Sequence, residues 1–391
     1  MRAYDPRVGS HNRERAIGRI AELSGSSHDL VTFWQEATGV IGPAVPFYLT
    51  PCFYTMDPAS LLITSHYHDG LPEIPREWLA LEYYEDDYNK MADVARSDQG
   101  LATLHEATGG DLRRSARYRV SIEPFGGEQE LLAGLRTRSG EVWGILGLYR
   151  EPGQRLFGAD ELDFLRQASV HLAEGARRAL LIGEAKDPEG PESPGLLVLD
   201  DGWEVESATP GVERWVAELP DGDWDAGKLP AAVLAVAGRA LRTAEHPDSP
   251  GEIAFARVLS RSGRWIALHG ASLVTGARRR VAVIVEPAHP ARINPLLMAA
   301  YGLTEREQEI TRLVLQGDPT AQIAKRLMLS PHTVQEHLKH IFEKTGVRSR
   351  RDLTGKVFFS HYEPRLRDNE HRAQEGHPVR GGPMPVDAPA R

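Results

Sequence analysis

One cysteine, Cys52, stands in a chain of 391 residues. A lone thiol excludes a disulfide within the chain and any metal centre built from clustered cysteines, and it fits a reducing compartment. Long hydrophobic runs are missing too. The longest, around Leu229–Gly238, falls far short of the roughly 18 apolar residues of a membrane-crossing helix. Met1–Gly18 is polar and carries no apolar stretch of the kind a secretion signal needs, so a cytoplasmic location away from membranes is the expectation. No Gly-x-x-x-x-Gly-Lys-Ser/Thr phosphate loop is present, and no internal repeat. Neither a Ser/His/Asp constellation nor a pair of carboxylates has a supporting context. No enzymatic activity, metal or cofactor is therefore expected.

What is present suits a soluble globular protein: 41% hydrophobic and 26% charged residues. At roughly 150 residues per domain the length predicts two or three domains. The net charge of −9 hides an asymmetry. Leu297–Phe359 holds ten Lys and Arg against seven acids, the tail beyond it balances, and residues 1–296 carry −12. A small basic module beside an acidic body points to a polyanion as the partner of the module alone.

Two Pro- and Gly-rich breaks divide the chain, Lys186–Gly195 and Pro287–Pro295. The expected organisation is a first domain at 1–185, a linker at 186–195, a second domain at 196–288 and a third at 297–359. The tail 360–391 is polar and rich in Pro, Gly and Arg, with too little to bury, and is expected to be disordered.

The first domain mixes helix and strand. Helical periodicity runs through Arg13–Leu23 and Asp29–Ile41, and strand-like runs follow at Val45–Tyr54 and Leu61–His66. Leu131–Thr137 and Glu141–Tyr149 form a hairpin pattern around Ser139 and Gly140, before a long helix at Ala159–Glu184. This succession resembles the GAF domain, a small-molecule and protein-interaction sensor. The second domain reads as strands at Gly195–Asp200 and Trp203–Ser207, helices at Gly211–Glu218 and Leu229–Thr243, and three strands at Glu252–Leu259, Arg264–Val274 and Arg280–Val285. That order resembles the PAS fold, another sensor module. The fold class expected is multidomain α+β, two sensor domains plus an all-α four-helix module.

The third domain carries the most specific pattern. Thr304 and Glu307 form a capping box, in which hydroxyl and carboxylate satisfy the first free amides of a helix reciprocally. That helix runs through Ile310, Leu313 and Val314 to Gly317. Thr320 opens a second helix with Ile323, Ala324 and Leu327 inward, and Met328–Ser330 is a short turn. Ser330 caps a third helix with Pro331 at its first position, where the missing N–H costs nothing. Val334, Leu338 and Ile341 then face inward at helical spacing, leaving His332, Thr333, Gln335, Glu336, Lys339 and His340 outward. Gly346 stops this helix and Ser349 begins a last one. Two helices joined by a tight turn make a helix-turn-helix, whose second helix can enter a major groove.

These residues resemble the LuxR-type DNA-binding domain. Leu303-Thr304-Glu305-Arg306-Glu307, Gly317, Ile323-Ala324, Leu327, Ser330, Thr333-Val334, His337-Leu338 and Lys344 through Arg350 match its pattern in register over about 50 residues. The resemblance implies double-stranded DNA as partner. The residues assigned to it are Thr320, His332, Thr333, Val334, Gln335, Glu336, His337, Lys339, Arg348 and Arg350. Many members carry Lys or Arg where this chain has Gln335, and Glu336 adds an acid beside it. Gln can read adenine bidentately and Glu can accept from cytosine, whereas Lys339, Arg348, Arg350 and Arg351 supply phosphate attraction. Thr333 and His337 match positions close to the DNA backbone. The last helix, Ser349–Phe359, is the implied dimer contact. The missing nucleotide loop separates the chain from the large ATPase-bearing members.

Several other motifs have two readings. Asp200-Asp201 matches the acidic pair of receiver domains or is a turn between strands, and the helix and polar loop at Ala231–Pro250 favour the turn. His66-Tyr67-His68-Asp69 could bind a metal with Cys52 or form a surface turn. Trp78, Tyr83, Tyr84, Asp86, Asp87 and Tyr88 could line a ligand pocket or belong to a core. The stripe Leu165–Leu172–Ala179 could be a dimer seam or pack on its own sheet.

The function expected is that of a sequence-specific transcription regulator, a homodimer on near-palindromic promoter sites controlled by its sensor body. Two alternatives stand beside it. In one, the helix-turn-helix contacts a protein such as RNA polymerase instead of DNA. In the other, the chain is a signalling enzyme with GAF and PAS modules, against which the absence of a large catalytic segment weighs.

Overall fold

A computed structural model of the chain describes residues 6–26, 28–68, 76–182, 194–246, 253–275, 278–288, 298, 301–315, 318–350 and 352–353. The expected tail at 360–391, the linker up to residue 193 and most of the second break lie outside the described residues. Two compact units are present. One holds the described residues up to 261 together with 266–286, and the other holds 262–265 and those from 287 onward.

In chain order the helices are α1 (Pro6–Ser24), α2 (Leu30–Ile41), α3 (Arg76–Tyr84), α4 (Met91–Arg96), α5 (Leu104–Thr108), α6 (Ala159–Ile182), α7 (Val212–Glu218) and α8 (Ala231–Glu245). Strands β1 (Cys52–Met56), β2 (Ile63–Tyr67), β3 (Leu101–Thr103), β4 (Gln129–Arg136) and β5 (Val142–Arg150) form one antiparallel sheet in the order β2-β1-β5-β4-β3. Strands β6 (Gly195–Leu199), β7 (Val205–Ala208), β8 (Phe255–Leu259), β9 (Trp265–Thr275) and β10 (Arg278–Pro287) form a second in the order β7-β6-β10-β9-β8. The two sheets thus share one strand order, and the mixed α+β class is as expected.

Most boundaries follow local chemistry. Asp29 caps α2, its carboxylate accepting from Thr32 N at 3.0 Å and Thr32 Oγ1 at 2.7 Å. The expected strand at Val45–Tyr54 forms only from Cys52 onward, because Pro46 and Pro51 have no N–H to give to a ladder. The β4–β5 hairpin pairs Leu131 with Leu148 and Ala133 with Leu146.

The first sheet is covered on both faces, and period-two alternation sorts its residues. Phe53, Leu131, Leu146 and Leu148 face α2 and α6, where Phe33, Trp34, Leu165 and Leu172 complete a core. Tyr54, Leu132 and Ile145 point the other way, into a core shared with Trp78 and Tyr83 of α3, the first two turns and more of α8 (Ala231–Ala237, Ala240 and Leu241), and Leu197, Leu199, Val281 and Val283 of the second sheet. The second sheet is one-sided: Val283 is buried while its neighbour Ile284 is exposed.

The two sheet modules therefore meet through α3 and α8. Their helices approach so closely that a Cβ on Gly238 would lie 2.1 Å from the Ala80 carbonyl oxygen, which only glycine permits. Polar contacts fix the same seam. Tyr84 Oη donates to Glu245 at 2.9 Å, and Arg242 reaches Asp86 at 2.8 Å. Arg257 on β8 holds Asp57, just after β1, at 2.6 Å. Inside the first module, Arg117 is buried between Glu82 at 3.0 Å and Glu130 at 2.7 Å, tying α3 to β4.

Candidate nucleic-acid interface

The second unit holds α9 (Glu305–Leu315), α10 (Thr320–Leu327) and α11 (Pro331–Thr345). Leu303, Ile310, Val314, Ile323, Ala324, Val334, Leu338, Ile341 and Leu353 form a core of their own. The capping box is in place. Glu307 Oε2 accepts from Thr304 N at 2.7 Å, and Thr304 Oγ1 accepts from Glu307 N at 3.3 Å. The same Glu307 oxygen accepts from Lys344 Nζ at 2.6 Å, which ties the start of α9 to the last turn of α11. Burial pushes the Glu307 carboxyl up, but the hydrogen bonds from Lys344 and the Thr304 N–H outweigh it and hold the group below the ordinary carboxylate range.

The turn between α10 and α11 rests on two features. Met328 adopts the left-handed region at φ 54° and is 93% exposed. Arg306 Nη2 donates to the Leu327 carbonyl at 2.9 Å, satisfying one of the free carbonyls that end α10. Ser330 then caps α11, accepting from Thr333 N at 3.0 Å, with Pro331 behind it as expected. Gly346 closes α11 at φ 66°. The stop expected at Gly317 lies outside the described residues. So does most of Ser349–Phe359, of which Arg350, Asp352 and Leu353 are helical.

His332, Gln335, Glu336, Lys339 and His340 are exposed along one side of α11, at spacings of three and four residues that keep them on a common face. Thr333 and His337 are half-buried at its edge. Val334, which the helical spacing puts inward but the family resemblance assigns to the DNA-binding set, is fully buried beside Leu338 and Ile341; it belongs to the core and cannot reach a ligand on that face. Arg348 is exposed. Arg350 is half-buried and turned inward, donating to the Asp318 carbonyl at 2.9 Å and to Thr320 Oγ1 at 3.0 Å. Gln335 Nε2 donates to the same Thr320 Oγ1 at 3.3 Å. Sequence reasoning missed the roles of Arg306, Lys344 and Asp318. Of these, Arg306 and Lys344 sit in the matched pattern, whereas Asp318 had no sequence signal.

The remaining motifs resolve as structure where they are described; Asp69, the end of the His66–Asp69 motif, lies outside the described residues. Asp200 Oδ1 accepts from Gly202 N and Glu204 N, each at 2.9 Å, so the acidic pair is the β6–β7 turn. His66 Nδ1 lies 3.2 Å from Asp221 at the mouth of an open cleft of about 800 Å³ that Trp224 and Lys228 also line. Cys52, one residue before the Phe53–Tyr67 pair of β1 and β2, is buried in the core, where burial pushes its thiol up to about 12, and among the described residues no cluster of His, Cys, Asp or Glu could hold a metal. Tyr83 Oη accepts from Ile63 N at 2.9 Å and donates to the Leu61 carbonyl at 3.1 Å, so the aromatic cluster pins β2 and the module seam. Leu165 and Leu172 are spent on their own sheet.

Comparison with known proteins agrees with this geometry. Residues 302–357 match the family described as bacterial regulatory proteins, luxR family. A Mycobacterium bovis protein named for helix-turn-helix-type transcriptional regulation is 49% identical over 51 residues, 13% of this chain and 6% of its own length. The nitrate/nitrite response regulator protein NarL of Escherichia coli is 44% identical over 48 residues, 12% of this chain and 22% of that protein. The spore germination protein GerE of Bacillus subtilis is 40% identical over 48 residues, which is 65% of its length. This chain thus spans only a small part of the first two relatives. Among solved structures, the ligand-binding domain of VqsR from Pseudomonas aeruginosa aligns with 42% of this chain and 94% of its own, at 20% identity and a TM-score of 0.30. Among the described residues no helix is long and apolar enough to cross a membrane. With its capped helices, tight turn and outward recognition face matching the pattern in register, the segment 302–357 is a helix-turn-helix domain of the luxR family.

Proposed function

We propose that this chain is a sequence-specific DNA-binding transcription regulator, acting in the cytoplasm as a homodimer on near-palindromic promoter sites. The observation that carries this reading is the exposed face of α11. Gln335, Glu336 and Lys339 stand outward on it while Val334, Leu338 and Ile341 anchor the helix from behind. In the major groove Gln335 and Glu336 read base edges, and Lys339 and Arg348 attract phosphates. Thr333 and His337 lie near the sugar–phosphate backbone, and His332 faces the groove from the first turn.

A single such module buries only about 600–1,000 Å² of protein surface on DNA. Two modules on two half-sites reach the affinity of a specific regulator, which supports the dimer. The domains proposed are 1–185 and 196–288 as the regulatory body and 297–359 as the DNA-binding module. A small-molecule or protein signal acts on the body and shifts the spacing of the two modules.

Genome-wide crosslinking to DNA tests this, with the wild type and a Gln335→Ala, Lys339→Ala double variant. Concentration at a few near-palindromic sites, lost in the variant, is the expected result. A wild type without enrichment, both intact and as residues 297–359 alone, would overturn it.

A further inference from the structure

Thr320 opens α10, and its Oγ1 takes two hydrogen bonds, from Gln335 Nε2 at 3.3 Å and from Arg350 Nη2 at 3.0 Å. Arg350 is itself held by Nη1 donation to the Asp318 carbonyl at 2.9 Å. A hydroxyl oxygen has two lone pairs, so these two donors saturate it as an acceptor. Three elements converge on one atom: the start of α10, the exposed face of α11 and the helical residues after it.

The consequence falls on Gln335. Its amide has two N–H donors and one carbonyl acceptor. Thr320 occupies one donor, so one N–H and Oε1 of the same planar amide remain on the exposed face. Adenine presents in the major groove one acceptor, N7, beside one donor, the N6 amino group, whereas guanine presents two acceptors. The remaining edge of Gln335 complements adenine. Had the side chain been left to rotate, part of the binding energy would go into ordering it; a side chain ordered in advance avoids that cost.

We infer that Thr320 is a positioning residue that holds Gln335 for adenine, fixing one base in each half-site. This rests on the DNA-binding reading above. It also separates Arg350 from the phosphate-contacting set, because Arg350 completes the bracket around Thr320.

The test is selection from random DNA duplexes by the full-length protein, followed by sequencing of the bound pool. Wild type is expected to enrich adenine at one position per half-site. Gln335→Ala removes that enrichment, and Thr320→Val and Thr320→Ala each reduce it at the same position by at least about fivefold, the low end for one bidentate base contact. Thr320→Ser restores the acceptor oxygen and with it the adenine preference. Gln335→Glu moves the preference toward cytosine. The helical circular-dichroism signal of each variant identifies any that fails to fold, and the second Thr320 variant then decides. Adenine enrichment that survives both Thr320→Val and Thr320→Ala, or a guanine in its place, overturns the inference while leaving DNA binding intact. A wild type that enriches no sequence overturns both.

Discussion

Asp57 receives three hydrogen bonds from Arg257: from its backbone N–H at 2.9 Å, from Nε at 2.8 Å and from Nη2 at 2.6 Å. The two residues lie 200 positions apart, Asp57 just after β1 of the first sheet and Arg257 on β8, an edge strand of the second, and both are buried. They join two modules that the sequence separates by a Pro- and Gly-rich break, and the surrounding core is continuous across that join. Removing one partner of such a pair strands the other charge away from water, which costs about 3–5 kcal/mol. Asp57→Ala is therefore expected to lower the stability of the two-sheet unit by that amount in urea unfolding. The two sheet modules should unfold in one transition in both wild type and variant; two separated transitions would show that the shared core does not couple them.

Gly238 reports on the same seam by steric means. A methyl group there meets the Ala80 backbone, which is not the movable end of a side chain, so α3 and α8 must separate. Overpacking of this kind costs about 1–3 kcal/mol. Gly238→Ala should lower the melting temperature of the two-sheet unit, while a substitution at exposed Ala244 on the same helix, Ala244→Gln, should lower it far less.

Much of this architecture was legible in the sequence, and the exceptions have physical causes. The β4–β5 hairpin, α6 and the three helices from Glu305 to Thr345 follow from local periodicity, caps and turn residues, so their bounds were nearly right. The α3–α8 seam was not legible, because it depends on contacts between residues some 160 apart, such as Tyr84 with Glu245. The aromatic cluster from Trp78 to Tyr88 kept two readings, pocket or core, for the same reason: aromatics at helical spacing fit either a ligand or a neighbouring helix, and α8 was the neighbour. On α11 the exposed positions could be read from the 3.6-residue period. The inward turn of Arg350 could not, since it depends on where the Asp318 carbonyl and Thr320 hydroxyl come to lie.

Glu307 makes the helix-turn-helix domain sensitive to acid. Its carboxyl is held below the ordinary range in the folded state, so the unfolded chain takes up the proton first as pH falls. The stabilisation is fully present above the unfolded value of about 4.3 and is lost as pH drops through the lower folded value. Near neutrality no dependence on this group is expected. The protection factors of the Ile310 and Leu338 amides, with the intrinsic slowing of exchange in acid divided out, should therefore fall below about pH 4.5 in the wild type. Glu307→Gln should exchange faster at neutral pH and lose that acid step.

Met328 carries a backbone cost that a substitution can remove. A side chain in the left-handed region costs about 1–2 kcal/mol, and Met328 is 93% exposed, so its removal forfeits almost no burial. Glycine loses about 0.5–1 kcal/mol more backbone entropy on folding, which offsets part of the gain. Met328→Gly is expected to stabilise the helix-turn-helix by up to about 1 kcal/mol, whereas Met328→Val, β-branched in the same conformation, destabilises it. Thermal unfolding of the two variants checks the sign. If Met328→Gly is instead destabilising, the turn relies on the methionine side chain for a contact that its exposure does not reveal.

Lys339 and Arg350 should separate in their response to salt. Each phosphate neutralised contributes about 0.9 to the slope of log affinity against log salt concentration. Lys339 is exposed on the α11 face, so Lys339→Ala should reduce the slope by about that amount and weaken binding to all sequences alike. Arg350 is committed to Asp318 and Thr320. Arg350→Ala should therefore leave the slope near its wild-type value and instead blunt discrimination between preferred and altered sites. Fluorescence anisotropy of the full-length protein on a selected duplex, measured across a salt series, distinguishes the two. An equal loss of slope in both variants would mean that Arg350 leaves its bracket on binding and reaches a phosphate, returning it to the role the sequence pattern implied.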